Sequence, residues 1–105
     1  MITLGDIIRA QHRLKGLLQP TPLEAAPDLG ANIYLKLENA NKTHSFKIRG
    51  ALNAVLSLDD EARRKGIVAA SSGNHAQAVA YASHLTGTKA QILMPKHTPQ
   101  KKVNG

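Results

Sequence analysis

The spacing of apolar residues predicts a helix, a turn and then a strand in the first part of the chain. The apolar residues that recur at helical spacing are Ile7, Ala10 and Leu14. Thr3 is placed to cap this helix, and Asp6 lies near the positive end of its dipole. The prolines of "QPTPLEAAP" end it. Apolar and polar residues then alternate in "NIYLKLE", which predicts a half-buried strand.

A polar loop, "NANKTHS", separates that strand from a second helical pattern. Ser45 ends the loop and is suited to cap the helix that follows. The helix is expected from Phe46 to about Leu58. Its apolar positions are Ala51, Leu52, Val55 and Leu56. A short charged helix is expected across "DDEARRK".

The second half of the chain predicts a β-α-β unit. "GIVAA" is a continuous apolar run, which is typical of a strand buried on both faces, and "KAQILMP" is expected to be a second buried strand. The turn "SSGN" and the alanine-rich helix "HAQAVAYASHL" lie between them. A strand, a helix and a strand within about 30 residues predict a parallel pair. The predicted fold class is therefore α/β with an open parallel sheet.

The last residues, "HTPQKKVNG", read as the beginning of another helix. Thr98 is the expected N-cap and Pro99 the expected first helical residue. The pattern stops after barely one turn, and so few parallel strands do not make a covered sheet. We therefore expect the front part of a longer protein. Residues 1–45 would be an N-terminal segment of its larger domain, and residues 46–105 a partial small α/β domain.

Composition excludes several classes of function. The 105 residues include no cysteine, which excludes disulfides, zinc–thiolate sites and thiol nucleophiles, and no metal site is predicted. No apolar run is long enough for a signal peptide or a membrane span, so we expect a cytoplasmic protein without a membrane partner. The net charge of +7 could suit nucleic acid. However, the basic residues are scattered and aromatic residues make up only 3%, so we expect no nucleic-acid partner.

The "SSGN" turn is the first candidate site. A strand that passes through serine and glycine into a helix presents backbone N–H groups to an anion, and Gly73 allows close approach. The carboxyl edge of a parallel sheet is also where ligands bind. The alternative is that Ser72 or Asn74 only caps the helix. His75 is by itself more typical of a partly exposed polar residue than of a ligand.

Lys47 is the second candidate. It could be a solvated surface cation, as most helical lysines are. It could also be a reactive amine, because a cation at a helix N-terminus is disfavoured by the dipole. Burial beside Phe46 and Ile48 would act in the same direction and lower its pKa. The neutral amine is the form that adds to an aldehyde.

Both motifs together identify a family. "KLENANKTHSFKIRGALNAV", "GIVAASSGNHAQAVAYAS" and "ILMPKHTPQKKV" resemble the pyridoxal-phosphate-dependent serine/threonine dehydratases and serine racemases. These enzymes share the fold of the tryptophan synthase β subunit. The resemblance runs over essentially the whole chain, and the two motifs occur in the family's order and spacing.

The resemblance implies a role for each residue of the two motifs. Lys47 would hold the cofactor, pyridoxal phosphate, as a Schiff base, and Phe46 would pack near the cofactor ring. Asn74 would hydrogen-bond the phenolic oxygen of the cofactor. The loop that binds the substrate carboxylate would consist of Ser71, Ser72, Gly73, Asn74 and His75. In the racemases, the serine at the position of Ser72 also acts as acid and base on the face opposite the lysine.

The implied activity is that of a threonine/serine ammonia-lyase, which converts L-threonine or L-serine to a 2-oxo acid and ammonia. A serine racemase and a non-catalytic truncated remnant are the alternatives. The parent is expected to be a homo-oligomer that acts on a small amino acid. His44 stands where many relatives have glycine, which leaves the loop shape before Lys47 open. The family's glycine-rich loop for the cofactor phosphate does not occur in this sequence, so we expect the 105-residue chain alone to be inactive.

Overall fold

A computed structural model describes residues 1–104 of the chain. Helices and strands follow one another in the order α1 (Leu4–Leu14), β1 (Leu23–Ala25), β2 (Tyr34–Lys36), α2 (Lys47–Ser57), α3 (Asp60–Lys65), β3 (Ile67–Ala70), α4 (Asn74–Thr86), β4 (Ala90–Leu93) and α5 (Gln100–Val103). Short 3-10 turns lie at Pro27–Leu29, Glu38–Ala40 and Lys42–His44. Across residues 1–104, no helix combines the length and the apolar character needed to cross a membrane.

Helix α1 begins with the predicted cap. The Thr3 N–H donates to Asp6 Oδ2 at 2.8 Å, and the Asp6 N–H donates to Thr3 Oγ1 at 3.3 Å. These two bonds form a capping box. The hydrogen bonds from Thr3, together with a further bond from Arg9, lower the pKa of Asp6 to about 2.

The predicted strand at "NIYLKLE" is confirmed as β2, but its predicted half-burial is wrong. β2 pairs antiparallel with β1, and Leu23 lies opposite Lys36. All three residues of β2 are exposed. Within residues 1–104, this two-stranded sheet has no apolar layer packed on it that would bury the alternate side chains.

The core forms between α2 and α4. Ile48 and Leu52 are fully buried on α2. They pack in one cluster with Leu18, Ala51, Val55, Ala78, Val79 and Ala82. The small alanine side chains on α4 let the two helices approach closely. The helical spacing of apolar residues predicted for residues 46–58 is therefore confirmed, and these residues form the face that α2 buries.

The β-α-β prediction is confirmed. β3 and β4 pair in parallel with Ile67 opposite Ala90, and α4 connects them. The expectation that both strands are buried on both faces is wrong, because Val68 is 70% exposed and Leu93 is 54% exposed. Only the side facing α4 is covered, where Ile67, Ala69 and Ile92 pack against the core.

Two predicted caps are wrong. Phe46, not Ser45, precedes α2, and it makes no side-chain cap bond. Pro99, not Thr98, precedes α5. The Thr98 hydroxyl instead donates to the carbonyl oxygen of Pro95 at 2.7 Å.

Candidate active site

Lys47 is the first residue of α2 and lies on the surface. Its Nζ is 4.9 Å from the centre of the Phe46 ring, which is itself 59% exposed. Successive helical residues point about 100° apart, so only Ile48 turns into the core. The predicted place of Lys47 at a helix N-terminus is confirmed. Of the two environments that the sequence leaves open for Lys47, the structure has the solvent-exposed one, and Lys47 is not buried beside Phe46 and Ile48.

The turn before Lys47 has an unusual backbone. Thr43 has φ 59° and ψ 15°, and His44 has φ 52°. Both are left-handed, a conformation that favours glycine and is rare for a β-branched residue. His44, where the sequence leaves the loop shape open, thus adopts a φ that a glycine would adopt without strain.

Two hydroxyl groups beside Lys47 are buried and unused. Within residues 1–104, Thr43 Oγ1 and Ser45 Oγ have no hydrogen-bond partner. Ser45 is only 6% exposed. Buried hydroxyls are normally paired, so each of these two can still make a hydrogen bond.

The loop between β3 and α4 holds the second motif. Ser71 and Ser72 are half-buried, whereas Asn74 and His75 are exposed in the first turn of α4. Gly73 is the N-cap and, because it has no side chain, offers no cap bond to α4. Its own N–H donates to Ser71 Oγ at 3.3 Å. The alternative, in which Ser72 or Asn74 caps the helix, is therefore wrong, and the first turn of α4 keeps unpaired N–H groups.

The two motifs are carried by helices that pack together. Ile48 directly follows Lys47 and lies in the same cluster as Ala78 and Val79 of α4. The turn containing Thr43 and His44 also faces α4 across a cavity of about 560 Å³. Packing of α2 against α4 thus fixes the start of one helix relative to the other. The loop itself follows the carboxyl end of β3, the edge at which open parallel sheets bind ligands.

Sequence reasoning missed a polar network beside Lys47. Arg49 Nε and Nη2 donate to Glu38 Oε2 and Oε1 at 2.9 and 2.8 Å. Thr21 Oγ1 donates to Oε1 at 2.6 Å, and Asn41 Nδ2 donates to Oε2 at 3.1 Å. These bonds, first that of Arg49, lower the pKa of Glu38 to about 2, and the pKa of Arg49 is raised in turn.

The signal for this network was weak. Glu38 ends an alternating strand and reads as a solvent-facing carboxylate, while Arg49 reads as a solvated helix cation. Thr21 and Arg49 are 28 residues apart. Only the opposite charges on either side of one polar loop could have suggested the pair.

Comparison with known proteins decides the family. A family of pyridoxal-phosphate-dependent enzymes matches residues 14–105. This chain belongs to that family. The resemblance inferred from the two motifs is thereby confirmed.

Relatives of this family member include several lyases. The L-threonine ammonia-lyase of Thermotoga maritima is 50% identical, and the match covers 98% of this chain and 27% of the relative. The L-threo-3-hydroxyaspartate ammonia-lyase of Saccharomyces cerevisiae is 46% identical, with 96% of this chain and 32% of the relative covered. The chain therefore spans about a quarter to a third of the length of these enzymes.

Solved structures confirm the fold class. A serine racemase from Dictyostelium discoideum matches with a TM-score of 0.93 and 42% identity, over 98% of this chain and 35% of that one. A threonine deaminase from Solanum lycopersicum matches with a TM-score of 0.84 and 38% identity, over 93% of this chain and 30% of that one. The chain has part of the fold of these pyridoxal-phosphate-dependent enzymes.

Proposed function

We propose that this chain forms the lysine-bearing N-terminal part of a threonine/serine ammonia-lyase. Such an enzyme converts L-threonine or L-serine to a 2-oxo acid and ammonia. The observation that carries the proposal is structural: Lys47 and the uncapped "SSGN" loop begin two helices that share one core. The lyases among the relatives, 45–50% identical to this chain, support the same activity.

The residues present fit pyridoxal phosphate in two respects. Lys47 Nζ is an accessible amine that can hold the aldehyde carbon of the cofactor, with Phe46 beside it. The uncapped first turn of α4 offers donors for an anionic group. A carboxylate would take backbone N–H groups of this first turn, and Asn74 would bond the phenolic oxygen.

When bound, the cofactor supplies an electron-withdrawing ring that acidifies the Cα–H of an attached amino acid. Lys47 Nζ is the proposed base that removes this proton once the substrate amine has displaced it. The loop from Ser71 to His75 orients the substrate by its carboxylate. The net reaction, loss of water from the amino acid followed by hydrolytic release of ammonia, would give the 2-oxo acid.

The test uses a carrier enzyme. In it, residues 1–105 of this chain replace the matching 27% of the Thermotoga maritima L-threonine ammonia-lyase. Borohydride reduction followed by peptide mapping should find the cofactor on Lys47. Lys47→Ala should abolish both this label and turnover, whereas Lys89→Ala, which removes another exposed lysine, should preserve both. A label on a different lysine in the unmodified carrier would contradict the proposal.

Serine racemisation is the second candidate, favoured by the match to serine racemases at TM-scores of 0.87 and 0.93. Racemisation needs a proton donor on the face opposite Lys47, and Ser72 Oγ is the proposed donor. Ser72→Ala in the carrier should then reduce racemisation of serine far more than elimination from L-serine. Equal losses would restrict Ser72 to binding the carboxylate.

We propose a homo-oligomer in the cytoplasm that acts on a small amino acid. Sedimentation of the carrier measures the assembly, and a monomer would contradict this part of the proposal.

A further inference from the structure

Glu38 joins the two ends of the segment that contains Lys47, residues 42–48. Before the segment, Asn41 Nδ2 donates to Glu38 Oε2 at 3.1 Å. After it, Arg49 donates to both carboxylate oxygens at 2.8 and 2.9 Å. Thr21 Oγ1 adds a bond of 2.6 Å. Each oxygen thus accepts two hydrogen bonds, and one carboxylate ties residue 41 to residue 49.

The segment between these two attachments is strained. Thr43 and His44 have φ values of 59° and 52°. Neither residue prefers this left-handed conformation, and the β-branched Thr43 disfavours it strongly. Backbone strain of this kind persists only where the surroundings over-determine it.

The turn of the segment packs against α4 and α2, but few side-chain hydrogen bonds hold it there. In the described part of the chain, the buried hydroxyls of Thr43 and Ser45 have no partner, and α2 begins without a side-chain cap. The turn's own bonds run from the His44 N–H to the Asn41 carbonyl oxygen at 3.0 Å, and from His44 Nδ1 to the Asn39 carbonyl oxygen at 3.2 Å. The Lys42 N–H also donates to Asn41 Oδ1 at 2.8 Å. These bonds all lie within residues 39–44 and do not reach Lys47. Ile48 anchors α2, but it lies beyond Lys47 from the strained turn.

We propose that Glu38 is a positioning residue for Lys47. Its carboxylate holds Asn41 and Arg49 in place and so keeps the strained turn closed, which sets the direction in which the Lys47 side chain leaves α2. Glu38 acts through Asn41 and Arg49 and does not touch the reacting atoms. This inference rests on the proposed function, because only a lysine that holds the cofactor needs such positioning.

The first measurement needs no cofactor. Trypsin cuts after Lys42, inside the segment, and after Lys89, an exposed site outside it. In the 105-residue chain, Glu38→Gln should speed cleavage after Lys42 several-fold and leave cleavage after Lys89 unchanged, because local opening exposes only the segment. The matched control is Glu24→Gln, which removes an exposed carboxylate on β1 and should change neither rate. Unchanged cleavage after Lys42 would overturn the proposal.

The second measurement uses the carrier enzyme. Glu38→Gln should lower kcat about a hundredfold with a smaller change in KM, because a misplacement of about 1 Å has an effect of that size. The fraction of cofactor found on Lys47 should fall as well. Glu24→Gln should leave kcat and the label unchanged. If Glu38→Gln opens the segment but kcat and the label stay as in the unmodified carrier, Glu38 is merely structural and the proposal fails.

A further variant covers the case in which Glu38→Gln unfolds the protein and speeds cleavage at both sites. Asn41→Ala removes the bond to Glu38, together with the 2.8 Å bond from the Lys42 N–H to Asn41 Oδ1, and leaves the Arg49–Glu38 pair intact. It should show the same selective opening and a smaller loss of kcat, and the absence of both would overturn the proposal. A cofactor found on another lysine in the unmodified carrier would instead contradict the proposed function itself.

Discussion

Glu38 shows how a single residue can link stability to pH. Hydrogen bonds, first from Arg49 and then from Thr21 and Asn41, lower its pKa from the ordinary 4.5 to about 2. A carboxylate with a lowered pKa stabilises the fold fully above its unfolded value and loses that contribution as the pH falls through the folded value. The contribution of Glu38 is therefore complete above about pH 4.5 and disappears towards about pH 2.

The pH dependence of the Glu38 contribution can be measured with a variant that lacks the carboxylate. The difference in unfolding free energy between the unmodified chain and Glu38→Gln should be constant near neutral pH and shrink as the pH falls below 4.5. Urea unfolding followed by circular dichroism at several pH values measures it. Glu24→Gln controls for the loss of one negative charge. A difference that grows towards low pH would contradict the hydrogen-bonded carboxylate.

At the scale of elements, the packing of α2 on α4 places both motifs. Leu52 is fully buried in that contact, whereas Leu85, on α4, is 44% exposed. Leu52→Ala should cost about 2–4 kcal/mol, because it removes buried methyl groups and leaves a cavity. Leu85→Ala, a matched change at the surface, should cost less than about 1 kcal/mol. Urea denaturation gives both values, and similar losses would show that the α2–α4 contact is not the core.

At the scale of the whole molecule, the chain has two of the parts that the proposed activity needs. Lys47 and the loop from Ser71 to His75 are present, but the sequence contains no glycine-rich run to hold the cofactor phosphate. The side of the β3–β4 sheet that faces away from α4 is also open, with Val68 70% exposed and Leu93 54% exposed. Such a surface favours association.

We therefore predict that the 105-residue chain, incubated with pyridoxal phosphate and L-threonine, forms no more 2-oxo acid than free pyridoxal phosphate does. The carrier enzyme should be active under the same conditions. The assay measures 2-oxo acid against a cofactor-only control. Turnover by the chain that exceeds this control and is lost in Lys47→Ala would show that residues 1–105 already hold the phosphate.

Local patterns were sufficient for much of the architecture. The helical spacing of residues 46–58, the capping pair of Thr3 and Asp6 and the apolar runs of β3 and β4 are each confirmed, because each depends on neighbours a few residues away. The two motifs likewise identified the family from consecutive residues. The errors lie where a residue's environment depends on distant parts of the chain, as with the expected burial of β2 and Val68.

Local sequence patterns were enough to predict the α-helices and the strands β2, β3 and β4, the places of Lys47 and the "SSGN" loop on them, and the family. They missed β1, which lies in the stretch of prolines after the first helix. Only the tertiary structure decided that Lys47 is exposed while Ile48 is buried, and that Thr43 and His44 are left-handed. It alone also revealed that Glu38 meets Thr21, Asn41 and Arg49. The physical reason is range: hydrogen bonding within a helix or turn is set by adjacent residues, whereas burial and ion pairing depend on which distant segments pack together.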